Sequence, residues 1–330
     1  MKRTLYIFQH GTLKREGHTL VLLQEDDKRV LPVETIGDIH VFGEITFNKK
    51  LLEFLTRHQI PVHVYNYFGY YVGTYYPRTA LNSGLILVHQ VAHYLDSEKR
   101  MELARAFVDG ALRNMQYVLR RYQRGDRDME AYVDTIEGFR LGLPAAQSPA
   151  ECMALEGQSR EVYYAAFSEI IQTPDFVFER RTRRPPGNRL NALISFGNMV
   201  LYRVALSEIY RTHLDPRIGY LHESNQRAFS LNLDLAEIFK PLIVDRTIFA
   251  LINRGQMRPQ YFEEKLGGVF LKEAGQKVFV QALEESLRRT ITHKRLRRKV
   301  SYRRLIRLEC YKLYRHILGE TTYQPFVLTR

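Results

Sequence analysis

Near residue 78 the sequence changes its periodicity, so two kinds of packing must coexist in one chain. Before that point apolar residues come in short runs, at 4–8, 18–23, 28–31, 39–42, 62–65 and 70–75, rich in aliphatic and aromatic residues and separated by Gly, Asp or Pro. Runs of this length and punctuation predict strands. One helical stretch, 49–58, interrupts them with Leu51, Leu52 and Leu55 on a single side. After Tyr76-Pro-Arg-Thr79, which reads as a short linker, apolar positions recur every three or four residues. Helices are predicted at 84–95, 97–124, 126–143, 149–172, 188–213, 231–254 and 276–293, with Pro144, Pro149, Pro174 and the Pro185-Pro186-Gly187 cluster supplying breaks. The expected class is therefore α+β: a small β-rich N-terminal domain over residues 1–78, followed by a larger all-α domain over 79–330. Within the first, His63, Tyr65 and Tyr67 alternate with Val62 and Val64. That alternation predicts a sheet with one face on a core and the other available to a partner.

The charge balance narrows the function. Lys and Arg number 49 against 36 Asp and Glu, a net charge of +13, which points to a polyanionic partner. An anionic membrane is disfavoured, because no apolar run approaches the ~18 residues of a span and Met1-Lys-Arg-Thr lacks a secretory apolar core. The expectation is a cytoplasmic protein whose partner is nucleic acid. The two cysteines, Cys152 and Cys310, are far apart and support neither a disulfide framework nor a thiolate zinc site. Basic residues concentrate twice. Between Glu285 and Glu309 there is no acid, but Arg288, Arg289, Lys294, Arg295, Arg297, Arg298, Lys299, Arg303, Arg304 and Arg307 occur; a second cluster holds Arg180, Arg181, Arg183, Arg184 and Arg189. Such clusters are solvated surfaces suited to phosphate backbone, which they position without reading its sequence.

The stretch 218–246 collects an imidazole, several acids and two arginines. Asp234 and Glu237, three apart in the run Leu231, Leu233, Leu235, Ile238, Phe239, project from one helix face. Ser230 or Asn232 is placed to cap that helix, and Pro241 to stop or kink it. His222, outside the helix, can fold back to offer a ring nitrogen. One imidazole with carboxylates suits Mg²⁺ or Mn²⁺ better than a thiolate-type zinc. Taken singly, each residue has a plainer reading: a loop histidine is commonly solvated, an Asp/Glu pair is commonly a wet face, and Glu156 early in its helix is favoured by the dipole alone. His89 and His93, four apart, lack the glutamate of a zinc-protease motif and read as structural.

Four blocks together carry a resemblance: Leu155-Glu156-Gly157 with Tyr163; Arg184-Pro-Pro-Gly-Asn-Arg-Leu-Asn191 running on to Gly197; Tyr220-Leu-His222-Glu; and 229–246 with Asp234, Glu237, Pro241 and Asp245. In order and spacing they resemble the CRISPR-associated protein one family, the integrases of CRISPR adaptation, and look most like versions beside type I systems of the I-B sort. The resemblance covers nearly the whole chain and implies the same pairing of a β domain with a helical catalytic domain. It implies that Glu156, His222 and Glu237 hold the divalent metal, that Asp234 is a further acid of the catalytic site, and that Asp245 supports the site or pairs with Arg246. Glu237 stands where the family often has Asp, and Ser159 precedes the retained Arg160. Asn191 and Gly197 are expected to shape the packing beside the site. The implied partners are DNA (a captured fragment and the CRISPR repeat), a second copy of the chain, and CRISPR-associated protein two. The implied reaction is attack of a fragment's 3′-hydroxyl on a phosphodiester of the repeat. A purely hydrolytic nuclease acting on branched or repair DNA, or a basic DNA-binding scaffold without catalysis, are the alternatives.

Overall fold

The computed structural model describes residues 2–329 apart from 26, 79, 80, 82, 124–127, 172 and 225–228. Thr79 of the expected linker and the expected helix ends at 124, 126 and 172 lie outside the described residues. The N-terminal part holds strands β1 (Arg3–Ile7), β2 (Gly11–Glu16), β3 (Thr19–Leu23), β4 (Lys28–Pro32), β5 (Ile36–Val41) and β6 (Ile45–Thr46), then helix α1 (Lys49–Arg57), β7 (Val62–Tyr65) and β8 (Tyr71–Tyr75). They form two four-stranded sheets, ordered β1-β5-β7-β8 and β4-β3-β2-β6. In the first, β1, β5 and β7 run parallel and β8 antiparallel. Between the sheets lies a core of Leu5, Ile7, Leu13, Leu20, Leu22, Ile39 and Val41, closed by Leu51, Phe54 and Leu55 of α1. Asn48 starts α1 by accepting from the Leu51 amide at 2.9 Å.

Successive strand residues face opposite ways. Thr4, Tyr6, Asp38, His40, His63 and Tyr65 therefore point away from that core, and all except the half-buried Tyr6 are buried. The face that the alternation left free for a partner is covered by the chain's own helices. His63 Nε2 meets the Ser207 hydroxyl at 2.9 Å, and the Arg303 guanidinium lies 3.3 Å from Asp38. The polar strand face is buried because polar helix residues satisfy it.

The helical part comprises α2 (Gly84–Leu95), α3 (Ser97–Tyr122), α4 (Glu130–Gly142), α5 (Pro149–Ala165), α6 (Phe167–Ile170), α7 (Arg189–Ile209), α8 (Leu231–Lys240), α9 (Arg246–Asn253), α10 (Glu273–Arg288) and α11 (Tyr302–Ile317). Asp96 caps α3, and Ser148 caps α5 while Glu151 reaches back to the Gln147 amide. α7 is, among the described residues, the one helix long and apolar enough to cross a membrane. It is a core helix, buried along most of its length. Two hairpins were not expected, β9 (Phe262–Lys265) with β10 (Gly268–Leu271) and β11 (Thr290–His293) with β12 (Arg298–Ser301). The second replaces the predicted end of the helix over 276–293.

α8 is buried at every position but Leu233. Its start has no side-chain cap, because the Ser230 hydroxyl instead donates to the Arg217 carbonyl at 2.7 Å and accepts from the Gly219 amide. Pro241 does not stop the helix: residues Pro241–Asp245 widen into a π turn that leads into α9. Proline cannot donate to the preceding turn, and a π turn accommodates the missing bond.

Candidate active site

α8 presents Asp234, Glu237 and Lys240 at three-residue intervals, hence on adjoining parts of one face. Asp234 is wholly buried, and both its oxygens are occupied by the loop before the helix. Oδ2 accepts from the amides of Tyr220 (2.6 Å) and Leu221 (3.1 Å); Oδ1 accepts from the His222 amide (2.9 Å) and lies 2.8 Å from His222 Nδ1. A carboxylate can only accept, so Nδ1 carries the proton and Nε2 keeps its lone pair. Burial opposes the imidazolium, but the hydrogen bond and charge of Asp234 outweigh it and hold the His222 pKa above its ordinary value. Asp234 thus positions the histidine loop, a narrower part than that of a metal-facing acid.

Glu156 comes from α5, whose side chain reaches the same interior. One guanidinium joins the two glutamates: Arg160 donates through Nε to Glu156 Oε1 and through Nη2 to Glu237 Oε2. Lys240 closes on the other oxygen of Glu237. Burial alone would raise the Glu237 pKa, but Lys240, Arg160 and His222 pull it down to about 2. The carboxylate is therefore ionised throughout the physiological range. Arg160 and Lys240 are buried cations; the resemblance marked Arg160 as a retained arginine without giving it a role, whereas the only signal of Lys240 was its spacing of three from Glu237.

Behind them sits Asp245, fully buried, with the Tyr163 hydroxyl beside it but in no hydrogen bond of ordinary geometry among the described residues. Burial pushes its pKa up to about 7 against the pull of Arg160 and Lys240. The expected pairing with Arg246 does not form, since Arg246 turns to the Tyr302 hydroxyl at 3.3 Å. Gly197 of α7 allows close packing here: a Cβ would lie 2.6 Å from Val244 and 2.7 Å from Phe279. Asn191 holds the basic loop before α7, accepting from Arg181 and Thr182 and donating to the Arg180 carbonyl.

The donors of Glu156, Glu237 and His222 Nε2 suit a hard divalent cation, two carboxylates and a neutral imidazole. They face one interior, with the Arg160 guanidinium lying between the carboxylates, so a cation bound by both acids requires that guanidinium to move. Only Asp38, His40 and His63, among the described residues, bring three ligand atoms within 4.8 Å of one another. Most of that trio's polar atoms are engaged, but His40 Nε2, 3.6 Å from Asp38 Oδ2, has no hydrogen-bond partner among the described residues. Both nitrogens of His63 are taken by Thr74 and Ser207, His40 Nδ1 meets Tyr65, and Asp38 faces Arg303. It is also sealed from any phosphodiester, all three residues being buried.

The basic residues divide. Arg184 is exposed, and Arg189 is half-buried with its guanidinium on the Asp175 carbonyl at 3.1 Å. Arg288 is exposed with Glu284 3.3 Å away; Arg289, Lys294, Arg295, Arg297 and Arg298 are exposed on or beside the β11–β12 hairpin. Three arginines of the clusters are structural instead of surface groups. Arg303 is buried against Asp38, Glu208 and Glu284, Arg307 donates to Glu208, and Arg181 is held by Asn191 and Ser195.

Comparison with known proteins meets this geometry from the outside. The profile of the family "CRISPR associated protein Cas1" matches residues 5–285. The CRISPR-associated endonuclease Cas1 2 of Thermodesulfovibrio yellowstonii is 49% identical over 327 residues, covering 99% of each chain. The solved Cas1 protein TM1797 of Thermotoga maritima superimposes with a TM-score of 0.91 at 43% identity, over 98% of this chain and all of that one. Two more distant structures share the fold alone. One is a casposase bound to integration product (TM-score 0.85, 22% identity, 98% of this chain and 93% of that chain). The other is a Cas6-RT-Cas1–Cas2 complex (0.86, 18%, all of this chain and 36% of that chain). A profile match over most of the chain and a near full-length relative at 49% identity place the protein in the Cas1 family of CRISPR-associated endonucleases.

Proposed function

We propose that the chain is a divalent-metal-dependent DNA integrase and endonuclease of CRISPR adaptation, inserting short DNA fragments into the repeat array. In this reading Glu156, His222 and Glu237 hold Mg²⁺ or Mn²⁺, and Asp234 completes the catalytic site by fixing His222. The observation that supports it most is the Asp234–His222 pair beside Glu237, a tautomer lock of the kind that orients metal-ligating histidines. The metal, when bound, supplies positive charge for the phosphoryl oxygens during in-line displacement. The protein's own groups do the rest. Lys240 keeps Glu237 ionised, Asp234 holds the His222 loop by four hydrogen bonds, and the exposed arginines and lysine of the β11–β12 hairpin, with Arg184 and Arg189, gather the DNA backbone. One P–O bond forms as the fragment's 3′-oxygen attacks, and one breaks as the repeat's own 3′-oxygen leaves.

The proposal extends to organisation. Residues 1–78 form a domain for dimerisation and partner contacts, and 79–330 the catalytic domain. The protein works in the cytoplasm as a homodimer with CRISPR-associated protein two, in a type I system of the I-B sort. Support for the DNA and protein partners comes from fold neighbours described as a casposase on integration product and a Cas1–Cas2 assembly.

The test is strand transfer on a labelled repeat duplex with a fragment ending in a 3′-hydroxyl. Glu156→Ala and His222→Ala should each lose about 10²–10³-fold in joined product, an effect typical of removing a charge-stabilising group, while DNA binding is largely retained. Joined product at the wild-type rate in both variants would falsify the metal site. Shortened strands without joined product would instead mark a hydrolytic nuclease.

A further inference from the structure

α5 and the α8 segment meet at two levels. At the upper, Arg160 of α5 donates to Glu156 and Glu237; at the lower, Tyr163, one turn further along α5, has its hydroxyl beside Asp245. The π turn sets this register. Had the α-helix run on from Glu237, each residue would advance about 100° and position 245 would point about 80° away from Glu237. The wider turn over Pro241–Asp245 advances less at each residue and returns Asp245 toward the face of Glu237.

The oxygens that a cation would need are already claimed. Arg160 takes Glu156 Oε1 and Glu237 Oε2, and Lys240 takes Glu237 Oε1. An ion held by both acids at ~2.0–2.6 Å would stand where the guanidinium now lies, and like charges so close repel. Arg160 is buried and cannot retreat into water, so it needs another anion to answer it. One is spare. Asp245 is fully buried and in no hydrogen bond of ordinary geometry at either oxygen, while Arg160 Nη1 is a buried donor that also lacks a partner among the described residues. The charges that bear most on Arg160 come from Glu156, Glu237, Tyr164 and Asp245. Of these carboxylates, Asp245 is the one that the metal reading leaves unused.

We propose that Arg160 is a positioning residue with two seats. Without metal it bridges Glu156 and Glu237 as a built-in counter-cation; with metal bound its guanidinium turns one level down onto Asp245, beside Tyr163. The inference rests on the metal reading above, and adds to it what holds the two acids together when no ion is present and what receives the displaced charge. Metal affinity then depends on Asp245, a residue that touches no metal, and depends on it through Arg160.

The full-length protein and its variants are titrated with Mn²⁺ in a calorimeter, and each is melted with and without the ion. Asp245→Asn keeps the shape of the second seat and removes its charge. It should weaken Mn²⁺ binding about tenfold, at the lower end of what loss of an outer partner does to a metal site. The melting temperature of its metal-free form should not fall, because Asp245 is unpaired there. Arg160→Gln removes the cation that must be displaced, and should tighten Mn²⁺ binding about tenfold, within the usual span of couplings between sites. Its metal-free form should melt earlier, since Glu156 and Glu237 lose their counter-charge. In the double variant, Asp245→Asn should cost no further affinity, a departure from additivity that a purely structural role would not produce. An equal loss from Asp245→Asn with and without Arg160 overturns the second seat and leaves the metal reading in place; so does unchanged or weaker Mn²⁺ binding in Arg160→Gln. A wild-type protein that takes up no Mn²⁺ overturns the metal reading, and this inference with it. Should Arg160→Gln fail to fold, crystals of the wild-type protein grown with Mn²⁺ decide between the seats. A guanidinium within ~3.2 Å of the Asp245 carboxylate supports the proposal; one still bridging the glutamates, or turned to solvent, overturns it.

Discussion

Asp234 gives both its oxygens to four hydrogen bonds within the chain and so acts through His222. Replacing it by Asn keeps the shape but lets the side-chain amide present a donor where an acceptor is needed, which releases the Nδ1 proton and frees the ring to flip. Asp234→Asn should therefore weaken Mn²⁺ binding by about 10- to 100-fold, measured by calorimetric titration, with a lower melting temperature even in metal-free buffer. Metal affinity equal to wild type would return Asp234 to the status of a passive anchor. Asp234, Glu237 and His222 were singled out by residue type and spacing, whereas Glu156 gained its place beside them only from the family resemblance. Lys240 was not legible: a basic residue three places from an acid reads as a surface ion pair, and only the burial of α8 turns it into a group that fixes the ionisation of Glu237. Asp245 lies buried close to Arg160 and Lys240, and the alternative of a pair with Arg246 does not form, Arg246 turning to the Tyr302 hydroxyl instead.

Helices were read well where caps and prolines mark their ends, as at Asp96, Ser148 and Asn188. The failures are physical. The run of cations after Glu285 has no apolar alternation strong enough to announce strands, so the β11–β12 hairpin was merged with the preceding helix. Val300 and Ser301 anchor the hairpin to the core while Lys294, Arg295, Arg297 and Arg298 are exposed, which makes its cations separable from its packing. Neutralising Lys294, Arg295, Arg297 and Arg298 together should lower the slope of log affinity against log salt by about 0.9 for each duplex phosphate they no longer neutralise. Melting temperature should hardly move, because exposed substitutions of this kind shift stability by ~0.5 kcal/mol or less each. An unchanged slope would remove the hairpin from the DNA-binding surface. The same charge run also contained Arg303 and Arg307, which face inward; charge counting cannot separate them, since the separation is made by which side of α11 meets Glu208.

Across the whole molecule, the polar face of the first sheet is the joint between its two parts. Burial holds His40 and His63 below their ordinary pKa, even though Asp38 pulls the other way. The unfolded chain takes up protons near pH 6.5 that the folded joint refuses, so this part of the stability is intact above that pH and declines as pH falls below it. Asp38 behaves in the same sense lower down: burial opposes its charge, but Arg303 and His40 keep its pKa well below the carboxylate range, so its contribution persists until pH drops under about 3.9. The melting temperature should fall between about pH 7.5 and 5.5, with stability declining by up to about 1.4 kcal/mol per pH unit for each histidine, and His63→Gln should make that decline shallower. A decline of equal steepness in the variant would put the sensitivity elsewhere.

The pairing of Asp38 with Arg303 spans 265 positions of the chain. During synthesis the first sheet leaves the ribosome long before α11 does; Thr74 and Tyr65 of the same sheet can answer one nitrogen each of His63 and His40, but Asp38 must wait for Arg303. Water must answer Asp38 until α11 arrives, so the two-sheet unit can assemble early whereas the closing of its polar face waits for α7 and then α11. A nascent chain halted before residue 303 would carry a wet, unclosed sheet, an inviting surface for chaperones.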